Sequence, residues 1–288
     1  MTKNFRVVDA FSAKPFLGNP VAVVLDAADL EANQMQTIAR WTNLSETTFV
    51  LPPKSANADY YLRIFTPDRE LPFAGHPTLG SAHAVIESGL CTPREGRVVQ
   101  ECAMGLIPIT IDNNCGLQRL TLQMPAARQR PLTVEETGEL AAILGHPVLS
   151  KPAPAHVDVG AVWLVAEMES IDTLFAIHPD FGRLAALERR LGATGLSLYA
   201  VNRTGIEVRS FAPSCGVHED PVCGSGNGSI AGFRLRAGQI APGESYVARQ
   251  GRMTGRDGLV VIRISPDGVV FVGGSCVTTI NGTLLVGS

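Results

Sequence analysis

Two stretches of this 288-residue chain repeat one another at half its length. "FTPDRELPFAGHPTLGSAHAVIESG" (65–89) and "FAPSCGVHEDPVCGSGNGSIAGFRLRAG" (211–238) share one order of parts. Each has a strand ending in Phe-x-Pro, a loop, a glycine, and then a run of small residues closed by another glycine. The matched Phe65 and Phe211 stand 146 positions apart. That spacing is too long for a solenoid period, so it implies two similar domains. The stretch "PAARQRP" (125–131) reads as the crossover between them.

The small-residue runs predict helices from about Pro77 to Ser88 and from about Ser225 to Ala237, with Gly89 and Gly238 just past their ends. Glycine inside a helix costs up to about 1 kcal/mol relative to alanine. A sequence tolerates that where neighbouring backbone must come close. With little polar face, both helices read as buried all round, each threaded through a curled sheet.

The rest of the chain supplies the sheet. Runs such as "FRVVDAF", "NPVAVVL", "ETTFVLP", "YYLRIFT", "LSLYAV", "IEVRSF" and "LVVIRIS" are short and rich in Val, Ile, Thr and aromatics. Gly, Pro, Asn or Asp separate them, a spacing that predicts antiparallel strands. Three further helices are predicted. Asp29 to Trp41 would start on an Asp cap, with Leu30, Ile38 and Trp41 in a stripe. Thr133 to Leu144 opens on a capping-box spacing, Thr133 and Glu136. The third is Pro179 to Leu191.

Composition narrows the function. Hydrophobic residues are 45% and charged residues 18%, which provides a core and argues against disorder. Net charge is −3 with no basic block, so a nucleic-acid partner is not expected. No apolar run approaches the roughly 20 residues that span a bilayer, and the N-terminus lacks the apolar core of a signal peptide. The six cysteines (Cys91, Cys102, Cys115, Cys215, Cys223, Cys276) form no CxxC pair, so free thiols in a reducing cytoplasm are expected.

A helix N-terminus offers unpaired N–H groups and partial positive charge, a natural seat for a carboxylate. Gly75 and Gly224 stand just before the two buried helices, where a ligand could approach the backbone. His76, Asp220 and Cys223 lie beside them. Each also has a plain reading: a turn histidine, a turn aspartate before proline, an inert buried thiol. Glu46, in "WTNLSETTFVLP", reads by itself as a solvated side chain.

Four segments, "DAFSAKPFLGNPVAVV", "NLSETTFVLP", "FTPDRELPFAGHPTLGSAH" and "EDPVCGSG", together resemble the signature of the PhzF-like (phenazine biosynthesis-like) isomerases. The resemblance runs from Val7 to the C-terminus and extends to the diaminopimelate epimerase-like superfamily. It implies an α+β fold of two pseudo-symmetric domains, each an antiparallel, barrel-like sheet around a central helix, with the active site between them. The domains would span 1–127 and 128–277, with a strand at about 278–288 returning to the first. It also implies a homodimer that uses no metal or organic cofactor and acts on a small-molecule carboxylate. It assigns acid/base proton transfer between carbons to Glu46, assisted by His76 and Asp220. Asn19, Gly75, Cys223, Gly224 and Ser225 would bind substrate.

Cys223 stands where PhzF-like proteins usually carry threonine. The first cysteine of the superfamily's epimerases would fall at Ala74, so a two-thiol racemase is not expected. Two alternatives stay open: a Cys223-dependent epimerase, racemase or dehydratase of amino acids or hydroxyproline, and a non-catalytic binding module.

Overall fold

The computed structural model describes residues 1–114 and 117–287. In chain order, the first half reads β1 (Thr2–Ala10), β2 (Asn19–Val24), α1 (Ala32–Thr42), β3 (Thr47–Leu51), β4 (Tyr60–Phe65), β5 (Glu70–Leu71), α2 (Gly75–Glu87), β6 (Arg97–Cys102), β7 (Gly105–Asn114) and β8 (Leu117–Gln123). The second half begins β9 (Arg128–Pro131), α3 (Val134–Leu144), β10 (Ala155–Asp158), β11 (Val162–Glu167), α4 (Ile171–Ala176) and α5 (Phe181–Leu191). It continues β12 (Gly195–Val201), β13 (Gly205–Ala212), β14 (Val217–Asp220), α6 (Gly224–Arg236), β15 (Ser245–Gln250), β16 (Gly258–Ile264), β17 (Val270–Gly274) and β18 (Cys276–Leu285). The chain divides into two compact units, Met1–Leu122 with Gly273–Ser288, and Gln123–Val272. The fold is of the expected α+β class.

In the first unit, β18 and β2 flank β1, both antiparallel. β3 pairs antiparallel with β4, and β6, β7 and β8 form a meander. The expectation of wholly antiparallel sheet fails at two joints: β2 runs parallel to β3, and β4 parallel to β6. Each joint carries a helix, α1 and then α2. A parallel pair needs a long crossover, and a helix supplies it.

The second unit repeats this plan. β9, β10 and β11 are antiparallel neighbours. β11 runs parallel to β12 across α4 and α5, β12 pairs antiparallel with β13, and β13 runs parallel to β15 across α6. The expected crossover segment therefore contains a strand, β9. Its backbone pairs with β10, which alternation of side chains alone could not reveal.

The two helices of the sequence repeat are the centres of their units. α2 touches β1, β2, β3, β6 and β18, and α6 touches β10, β11, β12 and β16. Glycine makes these approaches possible. A Cβ on Gly80 of α2 would lie 2.4 Å from Val21, and one on Gly226 of α6 would lie 2.5 Å from Ser197 Oγ. The buried polar groups of α2 find partners on the surrounding strands. Ser81 Oγ meets Thr48 Oγ1 at 2.8 Å, and Thr78 Oγ1 accepts from Gln100 Nε2 at 3.1 Å.

Two details of the peripheral helices correct the sequence reading. α1 starts on Glu31 instead of Asp29, with the Glu31 N–H donating to Gln34 Oε1 at 2.9 Å. Asp29 is drawn away by an ion pair with the buried Lys3. Trp41 is 76% exposed, and α1 buries Met35 and Ala39 against Phe49 and Phe65. α3 begins as expected, with Thr133 Oγ1 accepting from the Glu136 N–H and Glu136 Oε2 accepting from the Thr133 N–H. Among the described residues, no helix is long and apolar enough to cross a membrane. Five cysteines are free thiols, and Cys115 lies outside the described residues.

Candidate active site

In the first unit, four of the expected residues, Asn19, Glu46, Gly75 and His76, come together at the start of α2. α1 ends on Asn43 in the left-handed conformation, and a short turn then delivers Glu46 to the head of β3. The Glu46 carbonyl accepts from the Ala22 N–H at 3.3 Å, which ties this turn to β2. Helix α2 begins at Gly75, two residues earlier than its proline suggested, so His76 sits inside the first turn. Its Nε2 lies 3.3 Å from Glu46 Oε2. Its Nδ1 lies 3.4 Å from Asn19 Nδ2, at the head of β2.

This cluster is largely dry: His76 is 7% exposed and Asn19 is 1% exposed. Burial pushes the His76 pKa down to about 3, against a hydrogen bond to the Pro20 backbone that raises it. A neutral imidazole carries one N–H and one lone pair. The tautomer that lets Nδ1 accept from Asn19 Nδ2 carries its proton on Nε2, the nitrogen that faces Glu46.

The start of α2 also has room and donors. Its N-cap is Ala74, which has no side-chain acceptor, and Pro77 has no N–H to offer. A Cβ on Gly75 would meet nothing within 4 Å. The helix thus presents its positive end to open space beside His76.

In the second unit, Asp220, Cys223, Gly224 and Ser225 come together at the start of α6, which begins at Gly224. Asp220 ends β14, and its Oδ1 accepts from the Val222 N–H at 3.0 Å. Burial raises its carboxyl pKa to about 6, while the bonds from Val222 and Cys223 pull it down and the charge of Glu219 adds to the rise. Such a group changes protonation near neutral pH and can act as acid or base.

Cys223 is the N-cap of α6, and its Sγ accepts from the Gly226 N–H at 3.3 Å. Threonine would do the same work in that place. Ser225 Oγ lies 3.6 Å from that sulfur and accepts from Trp163 Nε1 at 3.1 Å. Topologically equivalent helices thus carry Ala74 and Cys223 at their N-caps.

Sequence reading missed Gln250 and Trp163. Gln250 is 1% exposed and bonds to the backbone of both Asp220 and Cys223. The alternation of β15 carries the signal, since Gln250 shares the inward face of Ala248. Among the described residues, no group of three or more His, Cys, Asp or Glu is arranged to hold a metal ion.

Comparison with known proteins agrees with this architecture. The family model of phenazine biosynthesis-like protein (PhzC-PhzF) matches residues 8–282. Antisense-enhancing sequence 1 of Schizosaccharomyces pombe is 38% identical, over 97% of this chain and 97% of that protein. Trans-2,3-dihydro-3-hydroxyanthranilate isomerase of Pseudomonas fluorescens is 36% identical, over 95% of this chain and 99% of that enzyme. A crystal structure of a Bacillus anthracis PhzF-family protein superposes with a TM-score of 0.88 at 25% identity, covering 99% of this chain and 100% of the other. By fold, by the four segments and by this match over nearly its whole length, the chain belongs to the phenazine biosynthesis-like protein family, among relatives named as isomerases.

Proposed function

We propose that this protein is a cofactor-independent isomerase that moves a proton between two carbons of a small carboxylate-bearing metabolite. The observation that carries the reading is the Glu46–His76 pair: a carboxylate 3.3 Å from a buried, neutral imidazole at an uncapped helix start. Glu46 takes a proton from one carbon, and the electron pair left behind delocalises toward the substrate's unsaturated carboxylate. The amides at the start of α2 favour that developing negative charge. Glu46, now an acid, returns the proton to a second carbon, so the overall step needs no external oxidant or reductant. His76 keeps its Nε2 toward Glu46 and orients the carboxyl. Asp220 assists as a second proton-exchanging group, with Asn19, Gly75, Cys223, Gly224 and Ser225 binding substrate. The scattered free thiols support a cytoplasmic setting, and the family resemblance supports a homodimer.

The first substrate to try is trans-2,3-dihydro-3-hydroxyanthranilate, the compound in the name of the Pseudomonas relatives. Incubation in deuterated water, followed by NMR, reads isomerisation and deuterium incorporation together. Incorporation that disappears in Glu46→Gln supports the reading. Incorporation that survives Glu46→Gln but is lost in Cys223→Ala would replace it with the thiol-dependent epimerase. That alternative draws on Cys223 as the N-cap of α6.

A further inference from the structure

The loop Asp220-Pro221-Val222-Cys223 joins β14 to α6, and one side chain grips it at both ends. Gln250 Nε2 donates to the Asp220 carbonyl at 2.9 Å. Its Oε1 accepts from the Cys223 N–H at 3.1 Å and from Asn227 Nδ2 at 2.8 Å. Asn227 Nδ2 also donates to the Cys223 carbonyl at 2.8 Å, which closes the network on the first turn of α6. The backbone beside Gln250 is fitted to the same loop. Gly251 has φ +108°, and a Cβ there would lie 2.6 Å from the Pro221 carbonyl oxygen. A Cβ on Gly258 would lie 2.3 Å from Val222 Cγ2.

β14 by itself is a weak support. It meets β13 at Ser210–Asp220 and Ala212–Val217, with an irregularity between them. The Arg209–Glu219 fork, at 2.9 and 2.8 Å, anchors the residue before Asp220. The chain from Asp220 to Cys223 follows the end of β15 instead.

We propose that Gln250 is the positioning residue for Asp220, holding its carboxyl aimed by fixing the loop on both sides of Pro221. The inference rests on Asp220 acting as an acid/base group, as read above. A carboxamide suits the task because it donates to one end of the loop and accepts from the other. Neither a carboxylate nor a thioether can do both. Among the described groups that act on Asp220, Glu219 is already paired with Arg209, and Cys223 bonds to the carboxyl.

The test uses the full chain with Gln250→Met and Gln250→Glu. The Asp220 carboxyl is followed by 13C NMR titration and assigned by its loss in Asp220→Asn. In Gln250→Met the loop opens to water, and the Asp220 pKa falls by about one unit or more toward the ordinary aspartate range. In Gln250→Glu the added negative charge raises it. Lower melting temperatures with an unmoved Asp220 titration in both variants would reduce Gln250 to a structural residue and overturn the proposal.

With trans-2,3-dihydro-3-hydroxyanthranilate as probe, kcat should fall roughly 10- to 100-fold with KM little changed. The acidic limb of the pH profile should follow Asp220. If the wild type does not turn over this probe, the proposed substrate is wrong, and the NMR titration still decides the role of Gln250. Should Gln250→Met not fold, Gln250→Glu carries the test: it keeps both acceptor bonds but loses the bond to the Asp220 carbonyl, so kcat should fall with KM little changed, and a wild-type kcat would overturn the proposal. Slow hydrogen exchange of the Cys223 amide in the wild type is expected, and fast exchange would overturn the proposal.

Discussion

Burial keeps the His76 imidazole neutral far below the pH at which a free histidine protonates, and that makes its chemistry predictable. With a pKa near 3 against 6.5 unfolded, its 15N signals should stay in the neutral pattern from pH 8 to pH 5. A titration centred near 6.5 would contradict the dry cluster. The linkage sign follows: the stability His76 contributes is present above pH 6.5 and is lost as pH falls toward 3. Asp220 has the opposite sign. Its folded pKa of about 6 exceeds the unfolded 3.8, so its contribution is present below pH 3.8 and lost as pH rises through 6. Asp220→Asn keeps a carbonyl oxygen for the Val222 N–H and removes the half-buried charge. It should therefore stabilise the protein by up to about 3 kcal/mol at pH 8 and by little at pH 4, as read by urea denaturation. Glu46→Gln should lower turnover about 10²- to 10⁴-fold while leaving the melting temperature nearly unchanged. His76 and Asp220 stood out beside the two helix starts, whereas Glu46 was legible only through the four-segment resemblance. Nothing in the spacing of Glu46 distinguishes it from a solvated glutamate. Its partner His76 lies thirty positions away and meets it only once β3 and α2 are packed.

At the scale of elements, small residues mark the two central helices, and their substitution should separate space from flexibility. Gly80→Ala improves helix propensity but drives a Cβ to 2.4 Å from the stiff, branched Val21, so a net loss of about 1–3 kcal/mol is expected. Gly228→Ala meets the Met124 side chain at 2.5 Å, and an unbranched thioether can swing aside. Its cost should be smaller, or offset by the propensity gain of up to about 1 kcal/mol. Paired denaturation curves of the two variants check this order. Gly75→Ala meets open space, so it should leave stability unchanged and raise KM if the substrate lies over that turn. The glycines, the central helices and the Thr133 capping box were visible in sequence because each depends on residues close in the chain. The Asp29 cap failed because a distant lysine, Lys3, claimed the carboxylate. The Trp41 stripe failed because α1 packs through the smaller Ala39. The parallel joints failed because strand direction is set by the crossover helix and leaves no mark on side-chain alternation.

For the whole molecule, the repeat foretold two related units, and the structure gives both one strand plan around one helix. The strand that completes the first unit is β18, which pairs with β1 along nearly its full length. A chain ending at Gly274 should lose the first unit's protection in hydrogen exchange before that of the second, and should aggregate through the uncovered β1 edge. The same pairing bears on how the protein is made. Synthesis runs from the N-terminus, yet the first unit lacks a wall until β18 has left the ribosome, after the whole of the second unit. The unit encoded second is the one able to finish folding first, and β1 must wait with an open edge. Chaperone dependence during translation should therefore centre on the earliest strand to emerge.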